Sequence, residues 1–134
     1  MLGIEPVTGG SIAQAERLVV VGRGIGSKKN LPLVERLAEL LHAELGCTRP
    51  LVEAGWLDYA RQVGQTGAAV APKLLVSIGV SGAIQHLAGI GGAETVVAIN
   101  EDAAAPIFGV ADYAVVGDAV EVVTELIAQL EARN

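Results

Sequence analysis

The sequence predicts an α/β fold in which a parallel sheet of about five strands is covered by helices on both faces. Short apolar runs rich in Val, Ile and Leu alternate with segments of helical periodicity, the pattern of a parallel sheet buried on both sides. Glycines and polar residues follow the apolar runs, where a strand turns towards the next helix. We expect a three-layer, doubly wound domain over residues 16–134, preceded by an extended lead or linker over residues 1–15.

The strands are predicted from short apolar runs bounded by turn residues. They fall at residues 18–22, 47–49, 74–80, 95–100 and 113–116.

The helices are predicted from apolar periodicity and from their end signals. Residues 31–45 carry leucines at helical spacing, and Gly46 follows in the position that commonly ends a helix. Asp118 should cap a closing amphipathic helix over residues 119–132, with Glu121 three residues later. Two shorter helices are predicted at residues 50–54 and 83–88, and residues 55–72 show no clear period.

Composition and charge restrict the classes of partner. The chain has 134 residues, with 15 acidic and 9 basic side chains and a net charge of −6, which argues against binding to nucleic acid or to anionic membranes. No apolar stretch approaches the roughly 20 residues of a membrane span. Cys47 is the single cysteine, so neither an intrachain disulfide nor a thiolate metal site is expected, and no metal site is predicted. A cytoplasmic location follows as an expectation.

An anion site is predicted behind the third strand. Gly79, Ser81 and Gly82 should form a tight turn into a helix, and such a turn presents unpaired N–H groups and the positive end of a helix dipole. Gln85 and His86 would lie in the first helical turn. An ordinary strand-to-helix turn with its cap is the alternative.

Polar segments follow each of the five predicted strands. Since the carboxyl ends of parallel strands meet at one edge, these segments should converge there. They are residues 22–27 (flanked by the cations Arg23, Lys28 and Lys29), Thr48 with Arg49, residues 81–86, Asn100, and residues 117–118.

The glycine loop resembles the Rossmann dinucleotide fingerprint without satisfying it. Ser27 stands where the third glycine belongs, and Thr48-Arg49 replaces the acidic residue that binds a ribose. An NAD site is therefore not expected. An NADP site with Arg49 on the 2′-phosphate remains open.

Six further motifs carry a family likeness that runs in order from about Leu18 to Leu130, nearly the whole chain. They are Arg23-Gly24, Gln62-Val-Gly-Gln-Thr-Gly67, Ser81-Gly-Ala-Ile-Gln-His-Leu-Ala-Gly89, Val97-Ala-Ile-Asn100, Ala105-Pro-Ile-Phe108 and Ala111-Asp-Tyr113. Together they resemble the FAD-binding C-terminal domain of the electron-transfer flavoprotein alpha subunit, whose fold is Rossmann-like and DHS-like.

The resemblance implies that FAD is the cofactor and that residues 16–134 are its binding domain. Arg23 and Thr48 would contact it, Arg49 would lie over the isoalloxazine, and the segment 81–86 would hold the pyrophosphate with His86 near the flavin O2. Asn100 and Asp118 would hold the adenosine end, and the loop at Val63–Thr66 would wrap the flavin, with Thr66 near its N5–O4 edge. The full implied set is Arg23, Thr48, Arg49, Gln62, Val63, Gly64, Gln65, Thr66, Ser81, Gly82, Ala83, Ile84, Gln85, His86, Asn100 and Asp118.

The implied activity is that of an electron carrier without substrate turnover of its own. Single electrons would pass from dehydrogenases, such as acyl-CoA dehydrogenases, towards a quinone-reducing partner, and a beta subunit would complete the assembly. A positive or donating group such as Arg49 or His86 near the ring would stabilise the charge gained on reduction. His86 as a general base is the rival interpretation. The compartment would be the mitochondrial matrix if the source is eukaryotic.

Three departures from the family pattern stand beside the resemblance, and the third leaves other functions open. Val21-Gly22 stands where two glycines usually precede the arginine, and Thr48 replaces the commoner serine. The family subunit also has an N-terminal domain that docks the beta subunit and has no counterpart in this chain. The alternative is a non-redox adenine-nucleotide-binding or interaction module, and an NADP module ranks third. A homodimer is also possible, with Trp56, Tyr59 and Tyr113 in structural or interface roles.

Overall fold

The computed structural model describes residues 12–63, 70–81 and 92–133. Five strands form one sheet: β1 (Arg17–Val21), β2 (Glu44–Cys47), β3 (Leu74–Ile78), β4 (Thr95–Asn100) and β5 (Tyr113–Val116). The helices are α1 (Leu31–Leu40), α2 (Arg49–Glu53) and α3 (Ala119–Arg133). Short 3-10 turns lie at Ile12–Gln14, Arg23–Ile25, Lys28–Asn30, Tyr59–Arg61 and Pro106–Gly109.

The sheet is parallel throughout, with the strand order β2-β1-β3-β4-β5. Gln62 adds a parallel bridge outside β2, to Cys47. The strand order therefore reverses between β1 and β3, which is the place where doubly wound folds bind their ligands. The predicted fold class is confirmed.

Two apolar clusters cover the two faces of the sheet. On one face, α1 and α3 pack over side chains such as Val19, Val76 and Ile99. On the other face, Val20, Leu75 and Ala98 of the sheet belong to a second buried cluster with Ile12, Val63, Val70 and Ile107. Burying Val, Leu and Ile side chains in this way supplies most of the stability, about 1.5–3 kcal/mol for each fully buried side chain.

The predicted helix over residues 31–45 is wrong in its last five residues. The helix ends at Leu40, and His42 adopts a left-handed φ of 55°, while the N–H of Ala43 bonds back to the carbonyl of Ala38 at 2.8 Å. Gly46 is not the helix terminator but part of β2, where a Cβ would lie 3.1 Å from the Val63 side chain. Pairing with β1 overrides the helical leucine pattern here, since Glu44 and Leu45 align with Leu18 and Val19.

The boundaries of other elements also differ from the prediction. The strand predicted at residues 47–49 ends at Cys47, and the helix predicted at residues 50–54 begins one residue earlier, at Arg49. The strands at Thr95–Asn100 and Tyr113–Val116 are confirmed as predicted. The closing helix runs one residue further than predicted, to Arg133. The helix predicted at residues 83–88 lies outside the described residues.

The first described residues already belong to the packed domain. Ile12 is 2% exposed and lies in the second apolar cluster, although it falls within the segment predicted as a lead. In the described ranges, no helix is long and apolar enough to cross a membrane.

Candidate functional site

The loops after the five strands are joined by hydrogen bonds into one rim at the carboxyl edge of the sheet. The N–H of Thr48 donates to Val21 O at 3.1 Å and that of Gly79 to Ile99 O at 2.9 Å. The N–H of Gly117 donates to Asn100 O at 3.0 Å. Each bond links the end of one strand to the start of the neighbouring loop, so the predicted convergence of polar segments is confirmed for the described loops.

Glycines interlock where the strand order reverses. The N–H of Gly22 donates to Ile78 O at 2.9 Å and that of Gly24 to Gly79 O at 2.8 Å. A Cβ at Gly22 would lie 2.5 Å from Gly79 O, and one at Gly24 would lie 2.5 Å from Gly79 Cα. Gly79 itself has a φ of +67°, a conformation that L side chains rarely adopt. The two loops can approach this closely only because three glycines meet, and the contact holds the backbone of the switch point in place.

Three exposed cations surround the first of these loops. Arg23 begins the 3-10 turn Arg23–Ile25, and Lys28 and Lys29 begin the next one, whose N-terminal residue Ser27 accepts a hydrogen bond from the Lys29 N–H at 3.2 Å. In the part of the chain that the structure describes, none of the three makes an ion pair, whereas Arg36, Arg49 and Arg61 all pair with glutamates. Positive charge that is not neutralised internally is available for an anionic ligand.

Thr48 and Arg49 follow β2 at the same edge. Thr48 is the N-cap residue of α2, yet its hydroxyl makes no capping bond to the helix. A threonine at this position usually caps the helix. Because Thr48 does not, its hydroxyl is available to a ligand. Arg49 is the first helical residue, and its Nε donates to Glu53 Oε2 at 3.1 Å. Both of these side chains are about 60% exposed, so this ion pair is weak and Arg49 can exchange its partner for a stronger one.

The loop after α2 returns to the sheet at Gln62 and Val63. The N–H of Val63 donates to Cys47 O at 2.9 Å. Gln62 and Val63 are both buried, at 3% and 2% exposure. Gln62 and Val63 are thus fixed beside the carboxyl end of β2, where the predicted flavin-wrapping loop begins. Its members Gly64, Gln65 and Thr66 lie outside the described residues.

Asn100 serves as a brace rather than as a free amide. Its Nδ2 donates to Val80 O at 2.9 Å, and its Oδ1 accepts the Asp102 N–H at 2.8 Å. The turn after β3 is held a second time, because the Ile107 N–H donates to Ser81 O at 3.0 Å. Sequence reasoning missed this bracing by Ile107, whose backbone donor has no sequence signal; the remaining turn residues Gly82, Ala83, Ile84, Gln85 and His86 lie outside the described residues.

Asp118 caps α3, as predicted. Its Oδ2 accepts the Glu121 N–H at 3.0 Å, and its carbonyl accepts the Val122 N–H at 2.9 Å. It lies after β5, and Arg49 lies after β2, at the other end of the same rim. Four strand spacings separate these two strands, about 19 Å at roughly 4.8 Å each, which is the reach of an extended ligand.

The Cys47 thiol and the His42 side chain do not contribute to the candidate site. Burial raises the pKa of the Cys47 thiol to about 11, against a smaller opposite effect of Arg61, so the thiol is inert at neutral pH. His42 is exposed at the end of α1, at the amino edge of the sheet. Within the described ranges, no cluster of His, Cys, Asp or Glu could hold a metal ion.

The described rim fits a phosphate-bearing nucleotide cofactor. The interlocked glycines leave no room for side chains between the β1 and β3 loops. The three cations beside them form no ion pair within the described residues, and the rim is long enough for an extended ligand. These are the features that a pyrophosphate linked to two ring systems requires.

Comparison with known proteins agrees with this geometry. Residues 11–91, more than half of the chain, match the family model described as the electron transfer flavoprotein FAD-binding domain. The chain is 49% identical over 123 residues to Protein FixB of Bradyrhizobium diazoefficiens, covering 92% of this chain and 33% of that protein. It is 50% identical over 123 residues to the electron transfer flavoprotein subunit alpha of Clostridium acetobutylicum, covering 92% of this chain and 37% of the other. The chain therefore spans about a third of the length of these curated relatives.

A solved structure shares the fold at low sequence identity. A chain described as a thiamin diphosphate-dependent enzyme from Mycobacterium smegmatis superposes with a TM-score of 0.56 at 15% identity, covering 87% of this chain and 25% of that one. This likeness supports the fold alone. The match of residues 11–91 to the family model shows by itself that this chain belongs to the electron transfer flavoprotein FAD-binding domain family, whose cofactor is FAD.

Proposed function

We propose that this domain binds FAD along the carboxyl edge of its sheet and acts as the cofactor domain of an electron carrier. The single observation that carries the proposal is the joining of the β1 and β3 loops by Gly22, Gly24 and Gly79, beside cations that form no ion pair in the described part of the chain. FAD supplies the redox chemistry when bound, because its ring system accepts and releases electrons one at a time. Such a carrier needs no general base or nucleophile, so we infer no substrate turnover by the domain itself.

The position of each residue along the rim determines which part of FAD it would contact. Arg23, with Lys28 and Lys29 beside it, would bind the phosphates through charge-assisted hydrogen bonds. Thr48 would donate its free hydroxyl. Arg49 would exchange its weak pair with Glu53 for the ring system, where a positive charge stabilises the electron density gained on reduction.

The other end of the rim and the two remaining loops complete the proposed site. Asp118 and Asn100 would hold the adenosine end, the first through its free Oδ1 and the second by bracing the turn after β3 at Val80 O. Gln62 and Val63 anchor the loop that would wrap the ring. The proposed contacts in the remaining segments are those of Gly64, Gln65, Thr66, Gly82, Ala83, Ile84, Gln85 and His86.

The wider role is proposed from the family and its named relatives. Electrons would enter from dehydrogenases, such as acyl-CoA dehydrogenases, and leave towards a quinone-reducing partner. A beta subunit would pair with the domain, in line with the designation of a relative as subunit alpha. The proposed compartment is the cytoplasm, or the mitochondrial matrix in a eukaryote.

Reconstitution of the purified chain with FAD tests the proposal. The domain should retain the yellow cofactor, and Arg23→Gln should weaken FAD binding at least about tenfold, the cost of one charge-assisted hydrogen bond. Lys73→Gln is the matched control, because Lys73 is an exposed cation just before β3, at the opposite edge of the sheet. Equal loss of binding in both variants would contradict a specific phosphate contact at Arg23.

Thermal stabilisation by different nucleotides separates this function from its alternatives. FAD should raise the melting temperature more than AMP at equal concentration, since the ring end adds contacts. Equal shifts with AMP and FAD would instead indicate a non-redox adenine-nucleotide module. A shift with NADPH and none with FAD would indicate an NADP module.

A further inference from the structure

The edge strand β5 is apolar and exposed on both of its faces. Tyr113 is 65% exposed, Val116 is 56% and Val115 is 36%, and Ala114 is exposed as well. Through the register with β4, Tyr113 and Val115 share the face of Val97 and Ile99, and Ala114 and Val116 share the other face. The strand therefore presents apolar side chains in both directions from the sheet.

This edge is short, at four residues, but it lacks the charge, the proline and the bulge that commonly prevent pairing with another strand. Natural edge strands carry lysine, proline or a bulge, whereas β5 reads Tyr-Ala-Val-Val and continues the regular parallel register of β4. It is the terminal strand of the described sheet, so its outward backbone N–H and C=O groups have no ladder partner there. Val110, just before the strand, adds another exposed apolar side chain, at 45%.

The sequence on either side of β5 is acidic and lacks basic residues. Residues 74–132 contain no Lys or Arg and eight Asp or Glu. Five of these acids are exposed next to the outer end of the sheet: Glu101 and Asp102 after β4, Asp112 before β5, and Asp118 and Glu121 after it. Asp112 and Asp118 each accept an internal backbone hydrogen bond, so their charges are fixed in position beside the strand.

We propose that the outer edge of β5 docks an extended segment of a partner polypeptide that is apolar in its centre and carries Lys or Arg at its ends. The segment would pair with the free backbone groups of β5 and extend the sheet by one strand, as in other strand-addition complexes. Its basic ends would meet the fixed carboxylates at Asp112 and Asp118. Nucleic acid is excluded as the occupant because its phosphates would face the same carboxylates.

A second copy of this chain fits less well. Two copies joined at β5 would each bring a net charge of −6 and would place their acidic flanks side by side, which like-charge repulsion disfavours. The outer edge of β5 lies apart from the glycine loops at Gly22, Gly24 and Gly79 and shares only Asp118 with the proposed FAD site, so FAD binding at those loops and peptide binding along β5 can be measured separately.

A labelled peptide provides the direct test. The probe is fluorescein-labelled Lys-Val-Thr-Val-Thr-Val-Lys, and its matched control has Glu in place of both lysines. The lysine peptide should bind saturably to the full chain, more weakly at high salt, and at least about tenfold more tightly than the glutamate peptide. Absence of saturable binding, or equal binding of the two peptides, would overturn the proposal.

Matched variants locate the binding surface. Ala114→Lys places a charge on the exposed edge strand and should weaken binding of the lysine peptide about tenfold or more. Ala60→Lys adds the same charge at an exposed position in the turn Tyr59–Arg61, beyond the opposite edge of the sheet, and should leave binding unchanged. Equal losses in the two variants would place the binding elsewhere.

Two measurements keep the test decisive if Ala114→Lys fails to fold. The lysine peptide should slow amide hydrogen exchange in residues 112–117 of the wild-type chain more than in any other segment, and protection elsewhere alone would contradict the proposal. Sedimentation of the wild-type chain should show a monomer. A dimer whose contact protects residues 112–117 would identify a second copy as the occupant and overturn the proposal.

Discussion

At the scale of single residues, glycine is required at Gly26 and Gly79 for two different reasons. Gly26 and Gly79 both have positive φ values, of 87° and 67°. Among the described residues, a side chain at Gly26 would meet nothing within 4 Å, whereas one at Gly79 would lie 2.8 Å from Gly24 Cα. Backbone conformation alone explains the first glycine, and conformation together with a close backbone approach explains the second.

Alanine substitutions should separate these two costs. Gly26→Ala should lower the free energy of unfolding by about 1–2 kcal/mol, the cost of a left-handed alanine. Gly79→Ala should lower it by about 1–3 kcal/mol more, because overpacking adds to the conformational cost. Urea denaturation of both variants measures the difference. Equal losses would show that the β1 and β3 loops do not interlock.

The buried thiol of Cys47 makes the stability of the fold depend on pH above neutrality. Its pKa is raised by burial from 9.0 to about 11, so between these values the unfolded chain releases a proton that the folded chain keeps. The free energy of unfolding should therefore fall as pH rises from about 9 to about 11. Cys47→Ala should remove this part of the pH dependence in denaturant titrations. An identical slope in both proteins would contradict the assignment.

At the scale of elements, strand pairing explains why the helix predicted over residues 31–45 ends early. The leucines of residues 37–45 continue a helical period, but Glu44–Cys47 pairs with β1 and the helix ends at Leu40. Periodicity reports a local preference, and a parallel neighbour can override it. The apolar runs at β3, β4 and β5 were predicted more closely, because β-branched residues between turn signals leave few alternatives.

The cap of α3 offers a way to separate folding from binding at one residue. Asp118→Asn should preserve the free energy of unfolding, because asparagine caps a helix as well as aspartate does, whereas Asp118→Ala should lower it by about 1 kcal/mol. If the carboxylate also holds the adenosine end, both variants should weaken FAD binding. Tight FAD binding by Asp118→Asn would assign Asp118 to the cap alone.

At the scale of the whole molecule, the rim could be predicted because topology places every strand end of a parallel sheet at one edge. The convergence of Arg23, Thr48 and Asp118 follows from strand order without any side-chain detail. The hydrogen bonds within the rim could not be predicted, since the bond from Ile107 N–H to Ser81 O and the engagement of Asn100 with Val80 O depend on contacts far apart in sequence. The exposed acidic edge at β5 could be identified only from the charge pattern of the sequence together with the strand order of the sheet.

Hydrogen exchange with and without FAD tests the central claim, that the cofactor lies along the carboxyl edge, most directly. FAD should slow exchange at residues 22–30, 48–53, 79–81, 100–104 and 117–121, which form the described rim. The amino edge, at residues 41–44 and 72–74, should exchange at the same rate in both states. Protection confined to the amino edge, or no protection in the rim under saturating FAD, would contradict the account.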